Sequence, residues 1–199
     1  MNIKDTLEQH GANPDGLFFN DVQVDAERIS AVLINEIVPA DPADDFYGGS
    51  QAAYLSTTIP LFRKAGLDVA TIDEILDRGI YITNAVKEPK TDTAVPRGSI
   101  EKSLPYLEKE LSLFTNVKVI LLMGDVAKKA FNMLTKKADG KNAIPPISTY
   151  KIRRTELFYN GIRIMPSYIM TGQNLLIEKL KFEMAAEDIS TMYDLIRRT

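Results

Sequence analysis

Val117-Lys118-Val119-Ile120-Leu121-Leu122-Met123-Gly124-Asp125-Val126-Ala127 decides the fold. From Val119 to Met123 no polar residue interrupts the run, the pattern of a strand covered on both faces. Gly124-Asp125 then turns directly into a helix expected to end near Lys137. Strand, tight turn and helix together make half of a parallel βαβ unit.

The same alternation extends outward in both directions. Ala31 to Val38 (AVLINEIV) is a second strand-length run rich in β-branched residues, broken by the loop Pro39-Ala40-Asp41-Pro42-Ala43-Asp44-Asp45. Ser50 is placed to cap a helix ending before Gly66, and Thr71-Ile72-Asp73-Glu74 reads as a capping box opening a short helix that Gly79 stops. Ile80 to Val86 is the next strand. Ser99 starts a helix to about Phe114, kinked or reset at Pro105. After a loop from Asp139 to Ser148 come short strand candidates at Leu157-Phe158-Tyr159 and Ile162-Arg163-Ile164-Met165. The last helix follows Thr171, with Phe182, Ala185, Ile189, Met192 and Ile196 as its apolar stripe. A short helix closing at His10, before Gly11, begins the chain. The expected fold is an α/β three-layer sandwich: a central, mostly parallel four-stranded sheet (31–38, 80–86, 117–123, 162–165) with helices on both faces, in one domain over residues 1–199.

Composition narrows the function. With 199 residues and 45% apolar content the chain can bury a substantial core. The absence of cysteine excludes disulfides, thiolate metal sites, iron–sulfur clusters and Cys nucleophiles. No apolar run approaches the roughly 20 residues that span a bilayer. The N-terminus lacks the apolar core of a signal peptide, so a cytoplasmic location is expected. The net charge of −3 is unevenly spread: residues 1–88 hold 6 Lys and Arg against 15 Asp and Glu, and residues 89–199 hold 18 against 12. That leaves room for a positive face toward phosphates, although each basic cluster taken singly reads equally as a solvated helix face.

The chemistry-bearing residue is Asn84, in Tyr81-Ile82-Thr83-Asn84-Ala85-Val86-Lys87-Glu88-Pro89. Asn offers one acceptor and two donors, suited at a strand end to the polar edge of a nucleobase. An isolated Asn in that place equally caps a turn.

Several segments, in order and spacing, resemble the uracil-DNA glycosylase superfamily, closest to its bacterial and archaeal family 4 and 5 members. They are Tyr81 to Lys87 with Pro89, Pro96 and Ile100; Pro105-Tyr106-Leu107-Glu108; and Val117 to Ala127. Upstream, Ile37-Val38-Pro39-Ala40 with Asp44-Asp45-Phe46-Tyr47-Gly48 is similar to the family's first motif, and Met165-Pro166-Ser167 stands where the family carries His-Pro-Ser. The resemblance covers roughly residues 30–195. It implies that an extruded base is stacked by Phe46 and read by Asn84, and that Asp41, Asp44 or Asp45 holds the attacking water. It further implies that Tyr168, Ile169 and Met170 wedge into the DNA stack. If DNA is the partner, Lys87 and, from the basic second half, Arg153 and Arg154 are the expected contacts. Each has a plainer reading: Phe46 and residues 168–170 as core cover, the aspartates as turn formers.

The pattern breaks twice. The family 4 iron–sulfur cluster has no ligands here, so no cofactor is expected. Met165 replaces the histidine that donates to the departing base oxygen, leaving the Ser167 hydroxyl, nearby backbone N–H groups, Gln173 or Asn174 to substitute. Removing one such donor commonly slows a reaction about a hundredfold to a thousandfold. The resemblance therefore implies hydrolysis of the N-glycosidic bond of uracil or another deaminated base in DNA, single- or double-stranded, by an altered site. The alternatives are a module of the same fold that binds a base without cleaving, and a fold relative used for protein contacts.

Overall fold

The structure, a computed structural model, describes residues 1–11 and 14–198. Its sheet is built from β1 (Ala31–Val38), β2 (Ile80–Pro89), β3 (Val119–Met123), β4 (Leu157–Tyr159) and β5 (Ile162–Ser167), in the order β2-β1-β3-β5-β4. The β1–β2, β1–β3 and β3–β5 pairs are parallel. The four expected strands therefore form the parallel sheet, and a fifth is added: β4 pairs antiparallel with β5 at the edge. The cause is local. Asn160 (φ 48°) and Gly161 (φ 79°) both take positive φ, the two-residue hairpin turn that Asn-Gly favours.

Among the described residues, eight α-helices fill the connections: α1 (Ile3–Glu8), α2 (Leu55–Lys64), α3 (Ile72–Asp77), α4 (Arg97–Ser112), α5 (Asp125–Asp139), α6 (Thr149–Ile152), α7 (Asn174–Ile177) and α8 (Lys179–Arg197). Strand residues alternate between two apolar layers. Val32, Ile34, Ile120 and Leu122 pack with Leu107 of α4 and Phe131 of α5 on one face. Leu33, Ile82, Leu121 and Met165 pack with Phe62 of α2 and Ala185 and Ile189 of α8 on the other. Thr71 caps α3 as read, its Oγ1 accepting from the Glu74 N–H at 3.2 Å, while the Glu74 carboxylate accepts from Ala70 rather than Thr71. Residues 50–54 form turns, so α2 begins at Leu55 and not beside Ser50. Pro105 sits inside an unbroken α4, which starts at Arg97 after Pro96.

A buried polar network joins β2 to α4. Lys87, 2% exposed, places Nζ 2.5 Å from Glu110 Oε2 and 2.7 Å from Thr83 Oγ1. Tyr81 and Thr83 donate to Glu110 Oε1 at 2.7 and 2.8 Å. Lys87 is thus not a DNA contact: β2 extends through Pro89, carrying residue 87 inside, where its charge is matched by Glu110. A buried charge is tolerated only when paired, and removing one partner costs about 3–5 kcal/mol. Lys87→Met should therefore lower Tm by roughly 6–20 °C in thermal melts, at about 2–4 °C per kcal/mol for a chain of this size. Replacing Glu110 with Leu as well should recover most of that loss. An unchanged Tm for Lys87→Met would show that the pair does not hold α4 to the sheet.

Candidate active site

The strand order changes direction at β1: β2 lies on one side of it and β3, reached by a crossover, on the other. Open α/β sheets bind ligands outside the carboxyl ends of the strands at such a point. Here a cleft of about 460 Å³ opens there, lined by Glu36 from β1, Gly124 and Lys128 from the β3–α5 turn and helix, Ser167 and Tyr168 from the end of β5, and Thr149 of α6.

Glu36 is the acid of this cleft. Its neighbours in β1 are apolar or uncharged, and its own side chain points to the start of α5. There Oε1 accepts from the Val126 N–H at 3.1 Å. Burial pushes its carboxyl above the usual Glu range, opposed by the Val126 and Asp125 N–H groups and reinforced by the Asp125 charge. The approach is so close that a Cβ on Gly124 would lie 2.4 Å from Glu36 Oε1; residue 124 also holds φ at 109°. Glycine is thus required on two counts. Glu36 is not among the residues expected of the site, where the sequence places the water-holding acid at Asp41, Asp44 or Asp45. The available signal was a lone charge inside an otherwise apolar strand.

Asn84 lies inside β2 on the opposite face of the sheet, 1% exposed, and both polar atoms of its amide are engaged by side chains. Nδ2 donates to both carboxylate oxygens of Asp45, at 2.8 and 3.0 Å, and Oδ1 accepts from Asn35 Nδ2 at 2.8 Å. Thr171 donates to Asn35 Oδ1 at 3.3 Å, and the Phe46 N–H donates to Asp45 Oδ1 at 2.9 Å. The chain Asp45–Asn84–Asn35–Thr171 thereby ties together the loops after β1 and β5. Burial pushes the Asp45 carboxyl upward, with the Asn84 and Phe46 hydrogen bonds opposing.

The remaining expected site residues are dispersed. Phe46 is fully buried against Tyr54, ring centroids 5.2 Å apart, in the apolar layer that also holds Met165 and Met170. Phe46 and Asn84 are sealed by packing, and Met165 faces a cavity with Arg153 and Asp188. Asp41 caps a 3-10 turn (Pro42–Asp44) by accepting from Ala43 at 3.0 Å, and Asp44 accepts from Ala53 at 3.2 Å. Both act as turn formers.

Arg153 is corrected from a DNA contact to a buried tie. Its side chain is 4% exposed and paired with Asp188 and Glu187 at 2.9 Å, and it donates to the Met184 carbonyl. Arg154 remains exposed beside Glu187. Met170 is buried, its carbonyl accepting from Thr57, because residue 170 turns inward where Ile169 turns out. Ser167 donates to Asp188 Oδ2 at 2.6 Å, so its hydroxyl hydrogen is committed away from the cleft. The substitute donor expected of Ser167 is therefore spent on α8.

With no cysteine in the chain, the thiolates of an iron–sulfur cluster are missing and no such group fits. No helix of the described residues is long and apolar enough to cross a membrane. The chain matches the sequence profile of the uracil DNA glycosylase superfamily over residues 32–186, from the second residue of β1 into α8. No curated protein matches it.

Met165 is 2% exposed, packed between the sheet and α8 and facing a separate cavity with Arg153 and Asp188. Met165→His should therefore bury an imidazole on the α8 side, where Asp188 is already spent on Arg153 and Ser167, rather than aim a donor into the Glu36 cleft. Burying an unsatisfied polar group costs about 1–3 kcal/mol, a Tm loss of roughly 2–12 °C, while Met165→Leu should melt near wild type. A Met165→His protein of unchanged Tm that gains uracil excision would place residue 165 at the base after all.

Proposed function

The chain belongs to the uracil DNA glycosylase superfamily, and from that premise we propose that it hydrolyses the N-glycosidic bond of uracil or another deaminated base in DNA. We place Glu36 as the residue that holds the attacking water. The observation that carries this reading is the Glu36 carboxylate in the strand-end cleft, braced by the first turn of α5.

Breaking the bond leaves positive charge on the sugar and sends the bonding electrons to the base. Water then adds at the sugar carbon and gives up a proton. A carboxylate beside that carbon serves both needs: it stabilises the developing cation and accepts the proton. A carboxylate has about four lone-pair sites, so accepting from backbone N–H groups leaves Glu36 capacity for a water. Burial, which raises the affinity of Glu36 for a proton, makes it a stronger base than an exposed glutamate. Gly124 allows the carboxylate to sit against the helix. In this reading Asp45 is a positioning group for Asn84, and Asn84 reads a base edge only by exchanging Asp45 or Asn35 for it.

A second reading, base or strand binding without turnover, is favoured by one set of observations. The Asn84 amide is fully engaged, and Met165 supplies no donor for the leaving oxygen.

One assay separates the two. Oligonucleotides containing uracil, hypoxanthine or xanthine, single- and double-stranded, are incubated with the protein and cleaved with alkali to reveal abasic sites. Strand breaks from wild type that fall about 10²–10⁴-fold in Glu36→Gln, the scale of one general base, are the expected result. Measurable binding with no breaks on any substrate would establish the second reading. Breaks at an undiminished rate in Glu36→Gln would remove Glu36 from the chemistry.

A further inference from the structure

The lip of the Glu36 cleft carries apolar side chains that the fold does not use. Tyr150 is 70% exposed on α6, and Ile147 and Ile169, 48% and 37% exposed, line the same cleft. Single exposed apolar residues are ordinary on a surface, but three on one cleft rim, one of them aromatic, mark a binding surface. The Tyr150 hydroxyl makes no hydrogen bond within the described residues, so the ring is not held out by a polar tether.

Charge indicates the occupant. From Gly140 to Thr155 the chain has Lys141, Lys151, Arg153 and Arg154 and no acidic residue. Arg153 is consumed by Asp188 and Glu187, but Lys151, directly after Tyr150, is exposed and has no carboxylate partner among the described residues. Lys128 and Lys181 line the cleft as well. Lys128 and Lys181 are paired with Asp125 and Glu178, which leaves Lys151 as the lysine of this rim without a carboxylate partner among the described residues. An exposed aromatic ring beside such a cation is the pattern that grips unpaired nucleotides, because every base has a π-face and a lysine can follow the backbone. A duplex keeps its bases stacked on one another and offers no face to such a ring.

Resting on the reading of the cleft as a site for a base in DNA, we propose that Tyr150 is a stacking platform for an unpaired base next to the one held at Glu36. The preferred substrate is then single-stranded DNA.

The test is fluorescence anisotropy with a dye-labelled single strand lacking any deaminated base, and with its duplex, at low salt. Turnover then plays no part. Tyr150→Ala should weaken single-strand binding about tenfold, the scale of one base–aromatic stack. Tyr150→Phe should bind as wild type, the duplex should bind more weakly than the single strand, and the melting temperature should not move. If wild type binds the single strand and Tyr150→Ala binds it equally, the platform is wrong while the glycosylase reading stands. Tighter binding of the duplex, with the Tyr150→Ala loss confined to it, would overturn the single-strand preference. Wild type that binds neither form would remove DNA as the partner, and the platform with it.

Discussion

Asn84 lies inside β2, which runs on to Pro89, and not at a strand end as expected; it cannot be buried there without partners, and its choice of partners shapes the site. A buried amide left unpaired loses the full hydration of its polar atoms. Here the Asp45 carboxylate accepts from Nδ2 and Asn35 supplies the donor that Oδ1 needs. Asp45 follows the turn that Asp41 caps, and Asn35 is held in turn by Thr171 of the loop after β5. One hydrogen-bonded chain therefore fixes both loops on the α2/α8 side of the sheet end and closes that side. What stays open is the α5 side, where alternation along β1 turns Glu36 the other way from Asn35.

That division explains how four ionisable groups packed against the sheet come to differ. Lys87 and Glu110 neutralise one another under α4. Asp188 is spent on Arg153 and Ser167, so its charge serves the packing of α8. Glu36 is braced by backbone dipoles at the start of a 15-residue helix and faces a cleft. Helix N-termini favour an anion at that place, while burial pulls the other way and raises its proton affinity. A carboxylate under these opposing pressures is suited to exchanging a proton with water.

Most of the fold was legible because it rests on local signals. Val119–Met123 is apolar throughout, Ala31–Val38 is apolar but for Asn35 and Glu36, Gly124 turns strand into helix, and Thr71 caps α3. The fifth strand was legible in part: Asn160-Gly161 is a hairpin signal between the short runs that became β4 and β5. The site was less legible, because its polar residues find partners far along the chain. Asn84 meets Asp45 and Asn35 from 39 and 49 positions away, and Arg153 meets Asp188 from 35. Nothing in the residues around Lys87 or Arg153 distinguishes a surface cation from a buried one; only the packing of α4 and α8 does. Glu36 is the lone charge of a mostly apolar strand, and its significance comes from the helix that β3 delivers beside it.

The central claim, that Glu36 acts as the base in the strand-end cleft, is tested most directly by the pH dependence of single-turnover uracil excision. Because burial raises the Glu36 pKa, its carboxylate form is lost as pH falls through that raised value. The rate should therefore drop on the acid side with a midpoint above the ordinary Glu value of 4.5, and Glu36→Gln should abolish this acid limb along with most of the rate. An acid limb that persists unchanged in Glu36→Gln, or a midpoint at or below 4.5, would contradict the account.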